Sequence, residues 1–484
     1  MSALFETARA HLAARPALLP ALVGSLALAI YLPAIGVGDF VGDDEALDAG
    51  VVQEMTRTGD WLFPEFNGEY LPPKPALFYW EAALAAKLHG RADEWSLRIP
   101  SAIAGAATVA ITVAGTMRLA GPGPAAIAGL LLSVTRVMHG QSRIGRCDMT
   151  MTLWVSACLF LYAIADGPLP RSHRWLFYTF LGLVALSKGG AGVGLVGAVI
   201  VADTLATRRL DSVRSLLDPA LLAFFVVGGS WYALGTWHWG DRFVDEQLIG
   251  ENLNHLIGGA AVSDLGKGYR SVGYHLSYHG FYIFLVMLPW GFLLPLAMLE
   301  VWRSRRSPDA ARLGFFAVWV LAGLFFFSLA ARKSPYYLLP LAPPTAVLAA
   351  AWIFPRVKST LGFVARPSLR LVAFAAAAAI LAWSLPFAPL TGIREVPAVR
   401  TTFAEHPLIA ITILAAIVGF GASAFIAARS RRPASTLLFV WSTTFAVLML
   451  ANLLQGPIDD LDSMKPFATE VRERTTERDR LYFF

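Results

Sequence analysis

Long apolar stretches alternate with short polar connections along almost the whole chain. A helix needs about 20 apolar residues to cross the hydrocarbon of a bilayer. About 13 stretches approach that length. They lie near residues 17–38, 99–118, 122–138, 148–165, 174–187, 189–206, 218–237, 278–299, 313–330, 335–353, 371–390, 406–427 and 435–455. The first has no small-residue cleavage site after it and reads as a retained anchor. The pattern predicts an all-α integral membrane protein with one membrane domain over residues 1–455. Two longer polar segments interrupt it, 39–98 and 238–277. A short tail, 456–484, leaves little or no C-terminal soluble domain.

Composition agrees with this pattern. Of 484 residues, 56% are hydrophobic and 15% charged, with a mean hydropathy of +0.56. Soluble domains hold about 45–50% apolar and about 25% charged residues. An ordinary cytosolic enzyme, a disordered chain and a nucleic-acid-binding protein are all excluded. The net charge of +6 is a topology signal. Basic residues such as Arg171, Arg174, Arg208, Arg209, Arg303, Arg429 and Arg431 crowd the connections on the side of the N-terminus. By the positive-inside rule that side is cytoplasmic. The two long segments then face outward, and an odd number of spans puts the C-terminus outside as well. Neither a P-loop nor a G-x-G-x-x-G after a strand is present. The two cysteines, Cys147 and Cys158, make no disulfide framework or metal cluster.

The first outward segment carries most of the information. Its first helix begins at Asp43, Asp44 and Glu45, and Leu47, Val51 and Met55 recur on one face. That spacing suits a helix lying on the membrane. Pro75 suits the first turn of a second helix. Phe78, Tyr79 and Trp80 would give that helix an interfacial aromatic belt. By spacing alone, Asp43 or Asp44 is a helix cap facing the positive end of the dipole, and Lys74 a snorkelling lysine.

The order Asp44-Glu45, Gly59-Asp60-Trp61, Pro64, Gly68-Glu69-Tyr70, Lys74-Pro75, Tyr79-Trp80 and Leu97-Arg98-Ile99-Pro100-Ser101-Ala102 resembles the bacterial GT-C glycosyltransferases related to protein O-mannosyltransferases. That branch includes the aminoarabinose transferases that modify lipid A. Further matches follow in order: Ser142-Arg143 with Asp148, Leu186-Ser187-Lys188-Gly189, Leu288-Pro289-Trp290, and Lys333 through Tyr336, Tyr337 and Pro340. The likeness covers about residues 39 to 345. It implies a GT-C fold and transfer of a sugar from a polyprenyl-phosphate donor to a lipid, glycan or protein on the external face of the bacterial inner membrane.

The chemistry of such a donor suits these residues. A lipid phosphate leaves as an anion, so the reaction needs a carboxylate to take the acceptor proton and fixed positive charge to meet the phosphate. By family position Asp44 is the base, with Asp43 a near alternative, and Glu45 orients the acceptor. Asp148 is either a functional acid at the outer surface or a helix cap. Lys74 and Lys188 are first choices for the phosphate, and Arg143, Lys333, Tyr336 and Tyr337 second. Lys333 also reads as span flanking and the tyrosines as belt residues. Glu251, Asn252 and His255 are candidates for contact with acceptor or loop. His255 stands where relatives often have arginine. Pro73 replaces an acid that many relatives carry before the lysine. His275 and His279 are four apart without a third ligand, so a divalent metal is possible but not favoured. The expected partners are the donor, the acceptor and membrane lipids, with no nucleic acid and no identifiable protein partner. The competing reading is a transporter or flippase of a lipid-linked glycan.

Overall fold

The computed structural model describes residues 17–40, 42–64, 71–254, 272–304, 308–330 and 333–358, with isolated positions 441, 444, 445, 448, 470 and 474. The stretches expected at 371–390 and 406–427, most of 435–455, and the tail lie outside these residues. All regular elements among the described residues are helical. In chain order they include α1 (Leu18–Tyr31), α2 (Gly42–Thr58), α3 (Ala76–His89), α4 (Glu94–Ala120), α5 (Pro122–Ser133), α6 (Arg136–Gln141), α7 (Cys147–Ala165), α8 (Arg171–Lys188) and α9 (Gly190–Thr207). These are followed by α10 (Ser230–Trp239), α11 (Val272–Val286), α12 (Leu294–Arg303), α13 (Pro308–Leu329) and α14 (Ala342–Lys358). The helices α4, α7 and α9, Arg312–Leu329 of α13, and Pro335–Pro355 are long and apolar enough to cross a membrane.

The expected stretches between residues 17 and 353 fall mainly on helix, with several interruptions. A π-helical turn, Phe225–Gly229, precedes α10. The stretch expected at 278–299 stops at Val286 and resumes at Leu294. Pro289 lies in that gap, and proline has no N–H to donate and clashes with the preceding turn.

The helix at the centre is α4, which packs against α1, α3, α5 and α7. Asp93 caps it reciprocally: its side chain accepts from the Ser96 N–H, and Ser96 Oγ accepts from the Asp93 N–H. Gly121, at φ +85°, ends it immediately before Pro122 starts α5. At 27 residues, α4 is about 40 Å long. Close approach depends on Gly105, where a Cβ would sit 2.1 Å from Ser142 Oγ.

The apolar face of α2 is not left for lipid. Val51, Val52 and Met55 are buried with Phe78, Tyr79, Ala82, Ala83 and Ala86 of α3, and with Leu97 and Cys147. A face repeating every three or four residues fits a partner helix as well as a membrane surface. The same correction applies to Phe78 and Tyr79, which are core residues (0% and 1% exposed) and not belt residues.

Two buried arginines fix the path from α1 to α2. Arg143 Nη1 donates to the carbonyls of Tyr31 (2.7 Å) and Pro33 (2.6 Å), and Nη2 to that of Ala34 (3.3 Å). Arg98 donates to the carbonyls of Ile35 (3.1 Å), Val37 (3.4 Å) and Asp39 (2.6 Å). It also grips both carboxylate oxygens of Glu45, at 2.8 and 3.0 Å. Glu45 Oε1 in turn accepts from the Gly145 N–H at 2.6 Å. Arg98 and Glu45 are 1% and 0% exposed. Breaking a buried pair of this kind leaves an uncompensated charge and costs about 3–5 kcal/mol. Glu45→Ala is therefore expected to lower the thermal unfolding temperature of the detergent-solubilised protein sharply. An unchanged transition would contradict this role.

Candidate active site

The starting residues of α2 and α7 meet the end of α8. Asp44, in the first turn of α2, is 69% exposed, and its Oδ2 lies 2.8 Å from Arg146 Nη2. Arg146 Nε lies 3.8 Å from Asp148 Oδ2. The other oxygen of Asp148 accepts from Lys188 Nζ. Lys188 Nζ sits 5.5 Å from the centre of the Tyr337 ring. Charges of alternating sign thus run from Asp44 through Arg146 and Asp148 to Lys188. Local structure favours the arrangement. Asp148 occupies the first turn of α7 and Lys188 the last turn of α8, where the helix dipole favours each sign. Gly189, at φ +66°, then turns the chain directly into α9.

Lys74 is half-buried in the segment entering α3 and lies within electrostatic reach of Asp48, Asp148 and Cys147. Burial alone would depress the Arg146 pKa, but Asp148 and Asp44 hold it above its ordinary value. Lys74, Arg146 and Lys188 therefore converge on Asp148.

Sequence reasoning missed several members of this site. Asp48 lies one turn beyond Asp44 and is buried, and it accepts a hydrogen bond of 2.7 Å from Tyr79 Oη. Burial pushes its carboxyl up to about 7, against the opposing pull of Tyr79, Arg146 and Lys74. Glu81 of α3 accepts from Thr150 Oγ1 at 2.7 Å, and burial pushes it to about 7 as well. The available signals were the four-residue spacing of Asp44 and Asp48, and the position of Arg146 two residues before Asp148. For Arg98, the signal was its place within a recognised motif.

Other candidates are engaged elsewhere. Glu45 is held by Arg98 inside the protein, and Arg143 by the carbonyls after α1. Burial and the nearby Arg98 charge lower Arg143 to about 10. Lys333 donates to the carbonyls of Phe327, Ser328 and Ala330 at the end of α13, and burial lowers its pKa. Tyr336 is exposed, and its N–H donates to Ser334 Oγ at 3.3 Å. Asp43 is in the first turn of α2, and Glu251 and Asn252 are in the π-helical segment Val244–Asn254; their side chains lie outside the described set, as does His255. His279 is buried with Nε2 3.4 Å from the Ser334 carbonyl, and the side chain of His275 is outside the described set. Among the described residues, no three His, Cys, Asp or Glu side chains gather as metal ligands.

Residues 73–232 match the family model for dolichyl-phosphate-mannose-protein mannosyltransferase. The undecaprenyl phosphate-alpha-4-amino-4-deoxy-L-arabinose arabinosyl transferase of Pseudomonas paraeruginosa is 30% identical over 319 residues, which cover 63% of this chain and 54% of that protein. A namesake from Pseudomonas fluorescens is 27% identical over 335 residues, covering 68% and 56%. The chain thus spans about half the length of the curated relatives it matches. Among solved structures, ArnT from Cupriavidus metallidurans bound to undecaprenyl phosphate superposes with a TM-score of 0.75 at 22% identity, covering 96% of this chain and 82% of that one. This shows the same fold, all-α and membrane-embedded.

The two raised carboxyls set a pH dependence of stability. Asp48 has an ordinary pKa of 3.8 and about 7 in the fold, so the folded state holds the proton more tightly than the unfolded chain. The stability it contributes is complete below about 4 and is lost as pH rises through about 7. Glu81, from 4.5 to about 7, acts in the same direction. Thermal unfolding in detergent is expected to fall in temperature from pH 5 to 8. Asp48→Asn should remove part of that slope, and Asp48→Asn with Glu81→Gln most of it. An unchanged slope in the double variant would refute the assignment.

Proposed function

We propose that this chain, which belongs to the GT-C glycosyltransferases related to the dolichyl-phosphate-mannose-protein mannosyltransferases and the aminoarabinose transferases, moves a sugar from a polyprenyl-phosphate donor to a lipid, glycan or protein acceptor. The carrying observation is the convergence of an exposed aspartate with two lysines and an arginine at one end of the helices. In this reading the end is external, with the N-terminus cytoplasmic, the C-terminus outside and about 13 spans. Asp44 removes the proton from an acceptor hydroxyl. The acceptor oxygen attacks the anomeric carbon from the face opposite the phosphate and inverts it. The bond from that carbon to the phosphate oxygen breaks, and its electron pair leaves on the phosphate. Lys74 and Lys188 face that developing charge. Asp148 holds Lys188 in place, and Glu45 holds the start of α2 against Arg98. The relatives' names make an undecaprenyl-phosphate-linked 4-amino-4-deoxy-L-arabinose the first donor to try.

A flippase would place its polar groups near the bilayer midplane on broken helices. The acids and lysines here gather at helix ends, which favours surface chemistry. Purified protein incubated with donor and envelope lipids should give a glycosylated product, read by mass spectrometry. Asp44→Asn should reduce its rate by about 10²–10⁴-fold, as expected for loss of a general base. Undiminished transfer by the folded variant would refute the base. Translocation of a glycan-linked lipid across reconstituted vesicles, without sugar transfer, would refute the enzyme.

A further inference from the structure

Arg146 has no assigned role in the transfer just described, yet it is the group that joins the two acids. Its guanidinium lies between Asp44 Oδ2 at 2.8 Å and Asp148 Oδ2 at 3.8 Å. The two acids differ in how firmly they are held. Asp148 is 5% exposed and already bonded to Lys188, whereas Asp44 is 69% exposed. Arg146 is itself 25% exposed, so its side chain is partly open to solvent. Within the described residues it sits at the N-terminal end of α7, with Lys188 on the far side of Asp148.

We infer that Arg146 is a catalytic residue that exchanges partners during the reaction, leaving Asp44 for the departing lipid phosphate. This inference rests on the transferase reading and adds a third cation to it. The charges balance along the path. Before transfer, Asp44 is a carboxylate paired with Arg146, and the donor phosphodiester carries one negative charge. The acceptor proton moves to Asp44 and neutralises it. The bond from acceptor oxygen to anomeric carbon forms, and the bond from that carbon to phosphate breaks. The phosphate gains the charge that Asp44 lost. Arg146, no longer attracted by Asp44, pairs with the phosphate through its two-pronged N–H face. No proton or electron is left over, and no co-reactant is needed. Lysine in this position would present a single point charge and could not span from Asp44 to a phosphate in the same way.

An interaction realised only as charge develops should lower kcat with little change in KM for the donor. Arg146→Gln is expected to show that split, with kcat down at least about 10-fold, and Arg146→Lys should recover only part of it. A purely structural arginine would instead lower folded yield and leave the kcat of the surviving protein unchanged. A binding cycle reads the same exchange without turnover. Polyprenyl phosphate binding is measured in detergent by native mass spectrometry for wild type, Asp44→Asn, Arg146→Lys and the double variant. With Asp44 neutralised, Arg146 is released, so Asp44→Asn should bind several-fold more tightly than wild type. That gain should vanish in the double variant.

Equal affinity in wild type and Asp44→Asn, or a gain that survives in the double variant, would overturn the exchange. An equal loss of phosphatidate binding in Arg146→Lys would assign the residue to the general lipid surface and overturn it as well. If wild type transfers no sugar but the cycle holds, the transferase reading falls while the phosphate partner of Arg146 stands.

Discussion

The buried pair of Arg98 and Glu45 is the constraint on which the site depends. Arg98 comes from α4, the helix that packs against most of its neighbours, and Glu45 from α2, the helix that carries Asp44. Their bidentate contact fixes the angle at which α2 leaves the membrane domain. The remaining N–H groups of Arg98, with those of Arg143, hold the carbonyls of Tyr31, Pro33, Ala34, Ile35, Val37 and Asp39. Backbone without regular structure must find partners when buried. Here two guanidinium groups supply them, so the segment from α1 to α2 is specified without a strand or helix. Gly145 completes the link by donating to Glu45, one residue before Arg146. The Asp44–Arg146 contact is therefore set from both ends by the same carboxylate.

Charge balance around Asp148 follows from this frame. Lys74, Lys188 and Arg146 act on it together, while Asp44, Asp48 and Asp148 supply the acids. Because burial pushes Asp48 to about 7, it is largely protonated below neutral pH, and the cations then outnumber the ionised acids. A site with surplus positive charge gathered at helix ends is suited to an anionic donor head group. The Tyr79 hydroxyl gives Asp48 a hydrogen bond in either protonation state, which makes its burial tolerable.

Sequence alone reached the membrane architecture because hydrocarbon thickness imposes a length that can be read directly as an apolar run. Motifs rather than periodicity pointed to Asp44, Lys74, Asp148 and Lys188, which the fold brings to one end of the helices. The errors of sequence reasoning have physical reasons. The apolar stripe of Leu47, Val51 and Met55 is the same pattern whether lipid or α3 covers it, so burial of Val51 and Met55 was not legible. Arg143 and Glu45 look like site residues by type, but only the fold shows their hydrogen bonds spent on backbone and on Arg98. Lys333 near the end of α13 satisfies the carbonyls of a helix C-terminus, a role any flanking lysine can take. Arg146 was hidden by the opposite effect. Asp148 is only two residues on, but Asp44 lies about a hundred residues earlier, and no local pattern announces that Arg146 meets it.

The two halves of the charge relay differ in strength, and that difference has a consequence. The contact of Asp148 with Lys188 is nearly closed to solvent, so breaking it would leave two poorly hydrated charges. The contact of Asp44 with Arg146 is open on the aspartate side, and exposed pairs are worth only about 0–1 kcal/mol. In the proposed transfer, an acid that takes a proton from an incoming hydroxyl gives up its existing partner, and only the second kind of pair can be surrendered cheaply. The same asymmetry leaves Lys188 the more firmly anchored of the two cations and Arg146 the less. Burial thus assigns different parts to groups of the same type: the enclosed aspartate holds the lysine, and the exposed one remains available for chemistry.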